Sequence, residues 1–186
     1  MLSRVVLSLG LSVSLATSAC GGHPAKPSSA GPGAGVPAGK LADPRNETIG
    51  GISVGARSEA VEKLLGAPAT KGTLQEMAAT GDVVADWKWT TGVTLTMAEG
   101  VDHVLTVHAI TLEAPSKLTT SRGVGIGASR AEVETIYKQF LGVGRQDGEP
   151  DTTSPEQLII GSVYGGTFFQ FTAGKVTRIF VGAGAE

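Results

Sequence analysis

A single cysteine, Cys20, stands in the 186 residues, so no disulfide can form within the chain and any fold must be held by its core. Aromatic residues make up only 5%, with two tryptophans, two tyrosines and five phenylalanines, and there are three histidines. Charge is low at 17% and close to balanced at −2, with lysine and arginine scattered, which argues against a nucleic-acid partner. No apolar stretch reaches the ~20 residues that span a bilayer. The Gly-Lys-Ser/Thr ending of a phosphate loop is missing. His103 and His108 are five apart on an expected strand and so face opposite ways, which leaves no shared metal site. The carboxylates Asp86, Glu99, Asp102 and Glu113 are scattered, with no acid and base pair among them. These absences point to a protein without catalytic activity, cofactor or metal.

What is present begins with a leader. Arg4 supplies one positive charge, and Val5 to Ala16 follow as a charge-free apolar stretch of about a dozen residues, the form of a secretory signal over 1–19. Small residues then run up to the cysteine in Leu15-Ala16-Thr17-Ser18-Ala19-Cys20-Gly21. This resembles the lipobox of bacterial lipoproteins, although Thr17 departs from the aliphatic residue usual at its position. The resemblance implies attachment of a diacylglycerol to the Cys20 thiol, cleavage before Cys20, a further acyl chain such as palmitate on the new amino terminus, and a membrane anchor. Gly21 follows the cysteine where many inner-membrane lipoproteins carry aspartate, so in a cell with two membranes the resemblance implies the periplasmic face of the outer one. Residues 20–46 are then the lipidated cysteine and a Pro, Gly and Ala-rich tether, which at roughly 25 residues reaches about 28 Å on average. The Asn46-Glu47-Thr48 triplet has the pattern of a glycosylation acceptor, discounted in a bacterial chain.

From residue 47 the chain carries an internal repeat. Gly51 to Leu65 registers without a gap on Gly123 to Tyr137: Gly51 meets Gly123, Gly55 meets Gly127, Ala56 meets Ala128, and Val61-Glu62 meets Val133-Glu134. Position 125 is glycine in one copy and Ser53 in the other, so the glycines of Gly123-Val-Gly-Ile-Gly127 read as a strand entering a helix rather than a phosphate cradle. Helices are expected at Ser58 to Leu65, with Val61, Leu64 and Leu65 as one apolar stripe, and at Arg130 to about Leu141. Ser129 and Glu132 fit a capping box on the second; Arg57 stands in the place of Ser129 on the first. Each helix precedes alternating, β-like runs, with Gly100 and Gly174 at hairpin turns. The expected fold is α+β: repeat 1 over 47–115 and repeat 2 over 116–186, each a short helix on its own three- to four-stranded antiparallel sheet.

The repeated glycine-hydrophobic pattern and the Trp-containing strands resemble the SmpA/OmlA family of small outer-membrane lipoproteins and the related β-lactamase-inhibitory-protein fold. The resemblance implies helices on one sheet face and a protein partner on the other. The inhibitors carry disulfides that this chain lacks. Alternation sends Thr94, Thr96, Phe168 and Gln170 to the open face, and on neighbouring strands exposes Lys88, Thr106, His108, Tyr164, Arg178 and Phe180, while Trp87 and Trp89 share the core face with Ala85. Tyr164, Phe168, Arg178 and Phe180 are the expected partner contacts, aromatic rings beside an arginine; the other reading has these rings cover the junction of the halves. The function expected is a membrane-anchored, non-catalytic protein-binding module of the cell envelope. Binding of a lipid or glycan, or inhibition of an extracytoplasmic enzyme, is the alternative.

Overall fold

The computed structural model describes residues 47–78, 80–144 and 153–184. The signal segment, Cys20, the tether and Asn46 lie outside the described residues.

The elements follow the hydrophobic periodicity closely. Helix α1 is Ser58–Leu65, and it stops where Gly66 takes a positive φ and donates its N–H to Glu62 O, with Pro68 beyond. Two short strands, β1 (Thr70–Lys71) and β2 (Gln75–Glu76), pair along one edge of β3 (Val83–Trp89), which is followed by β4 (Val93–Glu99) and β5 (Leu105–Glu113). Helix α2 (Arg130–Tyr137) continues into a 3₁₀ turn at Lys138–Phe140, and β6 (Gln157–Ser162), β7 (Gly165–Thr172) and β8 (Lys175–Gly182) complete the fold. Strand β4 shows the period-two rule plainly, burying Val93, Leu95 and Met97 while Thr94 and Thr96 face the other way.

The expectation of two tandem helix-on-sheet repeats is corrected by the topology. There is one eight-stranded antiparallel sheet in the order β1-β3-β4-β5-β8-β7-β6, with β2 also on β3, and only two helices of eight residues each among the described residues. Strand β5 pairs with β8 from Ile110↔Val181 to Glu113↔Arg178. The physical reason is the edge: a separate three-stranded sheet in each half would leave β5 and β8 with unpaired backbone groups, and joining them removes both edges. The fold is therefore mostly β.

The repeated sequence survives as a local docking device on this shared sheet. In the first copy Gly55 N donates to Val107 O (2.7 Å) and Val107 N to Ala56 O (2.8 Å); in the second Gly127 N donates to Val176 O (2.8 Å) and Val176 N to Ala128 O (2.9 Å). The N–H of Gly127 is thus spent on β8, and that of Gly123 on Thr120 O. These glycines hold a segment to a strand and present no converging donors to an anion.

One sheet face carries the core. Trp87, Leu95, Met97, Ile110, Leu112, Phe169, Ile179 and Val181 from the strands meet Val61, Val133 and Tyr137 from the helices in one cluster with Ile49, Ile52 and Val124. Trp87, Trp89 and Ala85 are buried there together, and Trp89 Nε1 donates to Gly66 O at 3.0 Å. Leu64, expected in the apolar stripe of α1, is exposed; α1 is one short helix on a wide sheet, and Val61 is the residue it buries. At the β4–β5 hairpin the left-handed residue is His103 (φ 59°) rather than Gly100, and His103 Nδ1 lies 2.9 Å from Glu99 Oε1.

Candidate functional site

The helix-free face of the sheet is ordered in cross-strand rows that follow from register. One row runs Gln157, Gln170, Arg178, Glu113 across β6, β7, β8 and β5. The next, two residues along each strand, runs Ile159, Phe168, Phe180, Thr111, Thr94 and Lys88. The third begins with Gly161, Gly166 and Gly182. A polar row, an aromatic row and a glycine row therefore lie side by side. Missing side chains in the third leave the furrow into which the rings of the second lean: a Cβ on Gly182 would sit 3.0 Å from Phe180 Cζ.

This relief makes a groove of about 600 Å³, whose walls include Met77, Val84 and His108 on one side and Phe168, Arg178 and Phe180 on the other. Phe168 and Phe180 stand edge to face with ring centroids 5.4 Å apart, an arrangement the aromatic quadrupole favours. Arg178 lies with its guanidinium carbon 5.9 Å from the Phe180 centroid, and its Nε is 3.6 Å from Glu113 Oε1, beyond hydrogen-bond range. That Nε is shielded from solvent and makes no hydrogen bond among the described residues. The groove thus sets a partly exposed arginine beside aromatic surface, a setting suited to binding by contact. On the far wall Thr96 Oγ1 donates to Asp86 Oδ1 at 2.9 Å, so that carboxylate is already engaged.

Of the four expected contact residues, three are brought together. Phe168, Arg178 and Phe180 line the groove, and Tyr164 sits on the β6–β7 turn, 59% exposed and away from the lining. Phe168 is far less open than alternation implies, at 7% exposed. His103 and His108 lie apart, the first in the β4–β5 turn and the second on the groove wall. Met77, Val84 and Gln157 also line the groove, and nothing in their local sequence announced it; only the pairing of β2 with β3 and of β6 with β7 brings them there.

A second polar cluster was not legible at all. Glu47 is buried, and its carboxylate accepts from Ser121 N (2.8 Å), from the Ser121 hydroxyl, from Arg122 Nη1 and from Tyr137 Oη (3.0 Å). Tyr137 Oη also meets Thr120 Oγ1 at 3.0 Å, and the Arg122 guanidinium lies over the rings of Tyr137 and Phe140. Burial first, then the neighbouring Glu47 charge, push the Tyr137 hydroxyl well above the ordinary tyrosine range. The chemistry of this cluster is that of a clamp: a carboxylate whose donors, among the described residues, come from residues 121–137. Among the described residues no group of three or more histidine, cysteine, aspartate or glutamate side chains is placed to hold a metal.

No family model matches the chain, no curated protein is significantly similar to it, and no solved structure matches its fold.

Proposed function

We propose that this chain is a lipid-anchored lipoprotein of the cell envelope that binds another protein, without catalysing a reaction, through the helix-free face of its sheet. The observation that carries the reading is the asymmetry of the sheet. One face is filled by helices and core, while the other presents Phe168, Phe180 and Arg178 in a groove with no helix over it among the described residues. A sheet that needs both faces covered for stability would bury this side too. The leader and Cys20 support the anchor, by their resemblance to the lipobox.

A second reading, a small lipid or glycan ligand, draws on the groove itself, whose volume of about 600 Å³ lies within the range of small-molecule sites. One experiment separates the two. A photo-crosslinking amino acid placed at Tyr164 in living cells is expected to yield a discrete protein adduct, lost when Phe168 and Phe180 are both changed to serine. Native mass spectrometry of the same preparation is expected to show no retained small molecule. Adducts that persist unchanged in the double variant sink the proposed face, and a stoichiometric lipid or sugar in the native spectrum moves the reading to the second.

A further inference from the structure

Phe168 should stand open on a helix-free face, yet it is 7% exposed. Phe180 covers part of it. Ile159 pairs with it from β6, and the chain's own segment after β8 also lies against its ring. Strand β8 ends at Gly182, and Ala183 and Gly184 then line the same groove as Phe168, Arg178 and Phe180. Gly184 N donates to Val163 O at 2.7 Å, which carries the segment across to the β6–β7 turn. At Gly184 the approach to the ring is as close as a backbone can make it: a Cβ there would sit 2.5 Å from Phe168 Cζ and 2.6 Å from Cε1. Glycine is the residue that permits this contact.

The attachment is slight by comparison with what precedes it. Val181 is the last residue of the described chain in the core cluster, and Gly184 is exposed on its outer side. A segment with few buried apolar contacts belongs to the low-stability end of a structure and opens without global unfolding.

We infer that Ala183–Gly184 is a strap laid over the docking face, an autoinhibitory contact that a protein partner displaces to reach Phe168. The inference rests on the reading of that face as the partner surface. It gives the strap a stated effect: the partner meets a site partly occupied by the chain itself, so its apparent affinity falls by the fraction of molecules with the strap closed.

Hydroxyl-radical footprinting of the full chain, read residue by residue, tests the strap without a ligand. Two variants are compared with the unaltered protein, one lacking residues 183–186 and one carrying Gly184→Val, whose side chain cannot share the space of the Phe168 ring. Oxidation of Phe168 is expected to rise severalfold in both while Phe169, fully buried in the core, stays protected. No rise at Phe168, or a rise shared by Phe169 in both variants, overturns the strap. The crosslinking yield at Tyr164 then tests its role: yield in the truncated chain is expected to exceed that of the full chain, and an equal yield overturns autoinhibition. Failure of the face itself registers separately, as adducts indifferent to Phe168 and Phe180 while Phe168 still responds to removal of the strap.

Discussion

Glu47 is the residue whose loss the molecule should feel most. Its carboxylate is buried and multiply bonded, so Glu47→Ala leaves the Arg122 guanidinium, itself mostly buried, without that partner. We expect a loss of about 3 kcal/mol or more, the scale for breaking a buried pair from one side, measured as a lower urea midpoint at unchanged slope. Tyr137→Phe removes one donor from the same cluster and is expected to cost about 1 kcal/mol at neutral pH. The pH dependence distinguishes this variant further. The folded state holds the Tyr137 proton at a pH where the unfolded chain releases it, so that contribution is whole below the ordinary tyrosine value near 10 and declines as pH rises above it. Stability of the unaltered protein should therefore fall more steeply above about pH 10 than that of Tyr137→Phe; parallel curves from thermal melts would contradict the assignment.

At the scale of elements, the two helix starts make a matched pair. Arg57 and Ser129 occupy the same backbone conformation, at φ −72°, ψ 148° and φ −78°, ψ 152°, but only Ser129 caps, accepting from Glu132 N at 3.3 Å. Arg57 is exposed. Arg57→Ser is thus expected to stabilise the protein by about 0.5–1 kcal/mol, and Ser129→Ala to destabilise it by about the same amount, both read from chemical denaturation. This symmetry was legible because glycines, caps and apolar periodicity are local signals. The helix spans, the core placement of Trp87 and Trp89 and the two faces of β4 follow from spacing alone. Leu64 is exposed against expectation because a stripe on a helix does not say how much of it the sheet below can cover. Glu47 was opaque for a different reason: its partners lie more than seventy residues away, and a lone acid beside a proline-rich segment carries no local mark of burial.

For the molecule as a whole, the β5–β8 seam decides how the halves behave. Neither strand edge is independent, and Ile110, Leu112, Ile179 and Val181 at the seam are all buried. The residues 47–115, excised, lose β8 and the donors Ser121, Arg122 and Tyr137 to the Glu47 carboxylate. That fragment is expected to show no cooperative unfolding transition, whereas 47–186 shows one. A sharp melt from the fragment would restore the idea of self-sufficient repeats. Sequence periodicity could place six of the strands in two groups of three, but pairing between groups depends on which edges are left open, and that is a property of the assembled sheet. The groove and the strap share this origin: each exists because β6, β7 and β8 sit beside β5, with Ala183 and Gly184 lying against Phe168.

The Glu47 clamp also has a mechanical meaning. A pull on the chain that precedes Glu47 loads this carboxylate first, and behind it the bridge of Ile49 to Thr120 and the bond from Gly50 N to Thr119 O. Tension entering there is expected to reach the 119–122 loop and, through Tyr137, helix α2, as well as the core that Ile49 shares with the strands. The clamp is thus placed like the collar where a cable enters a plug, holding the lead at the point where it meets the fold.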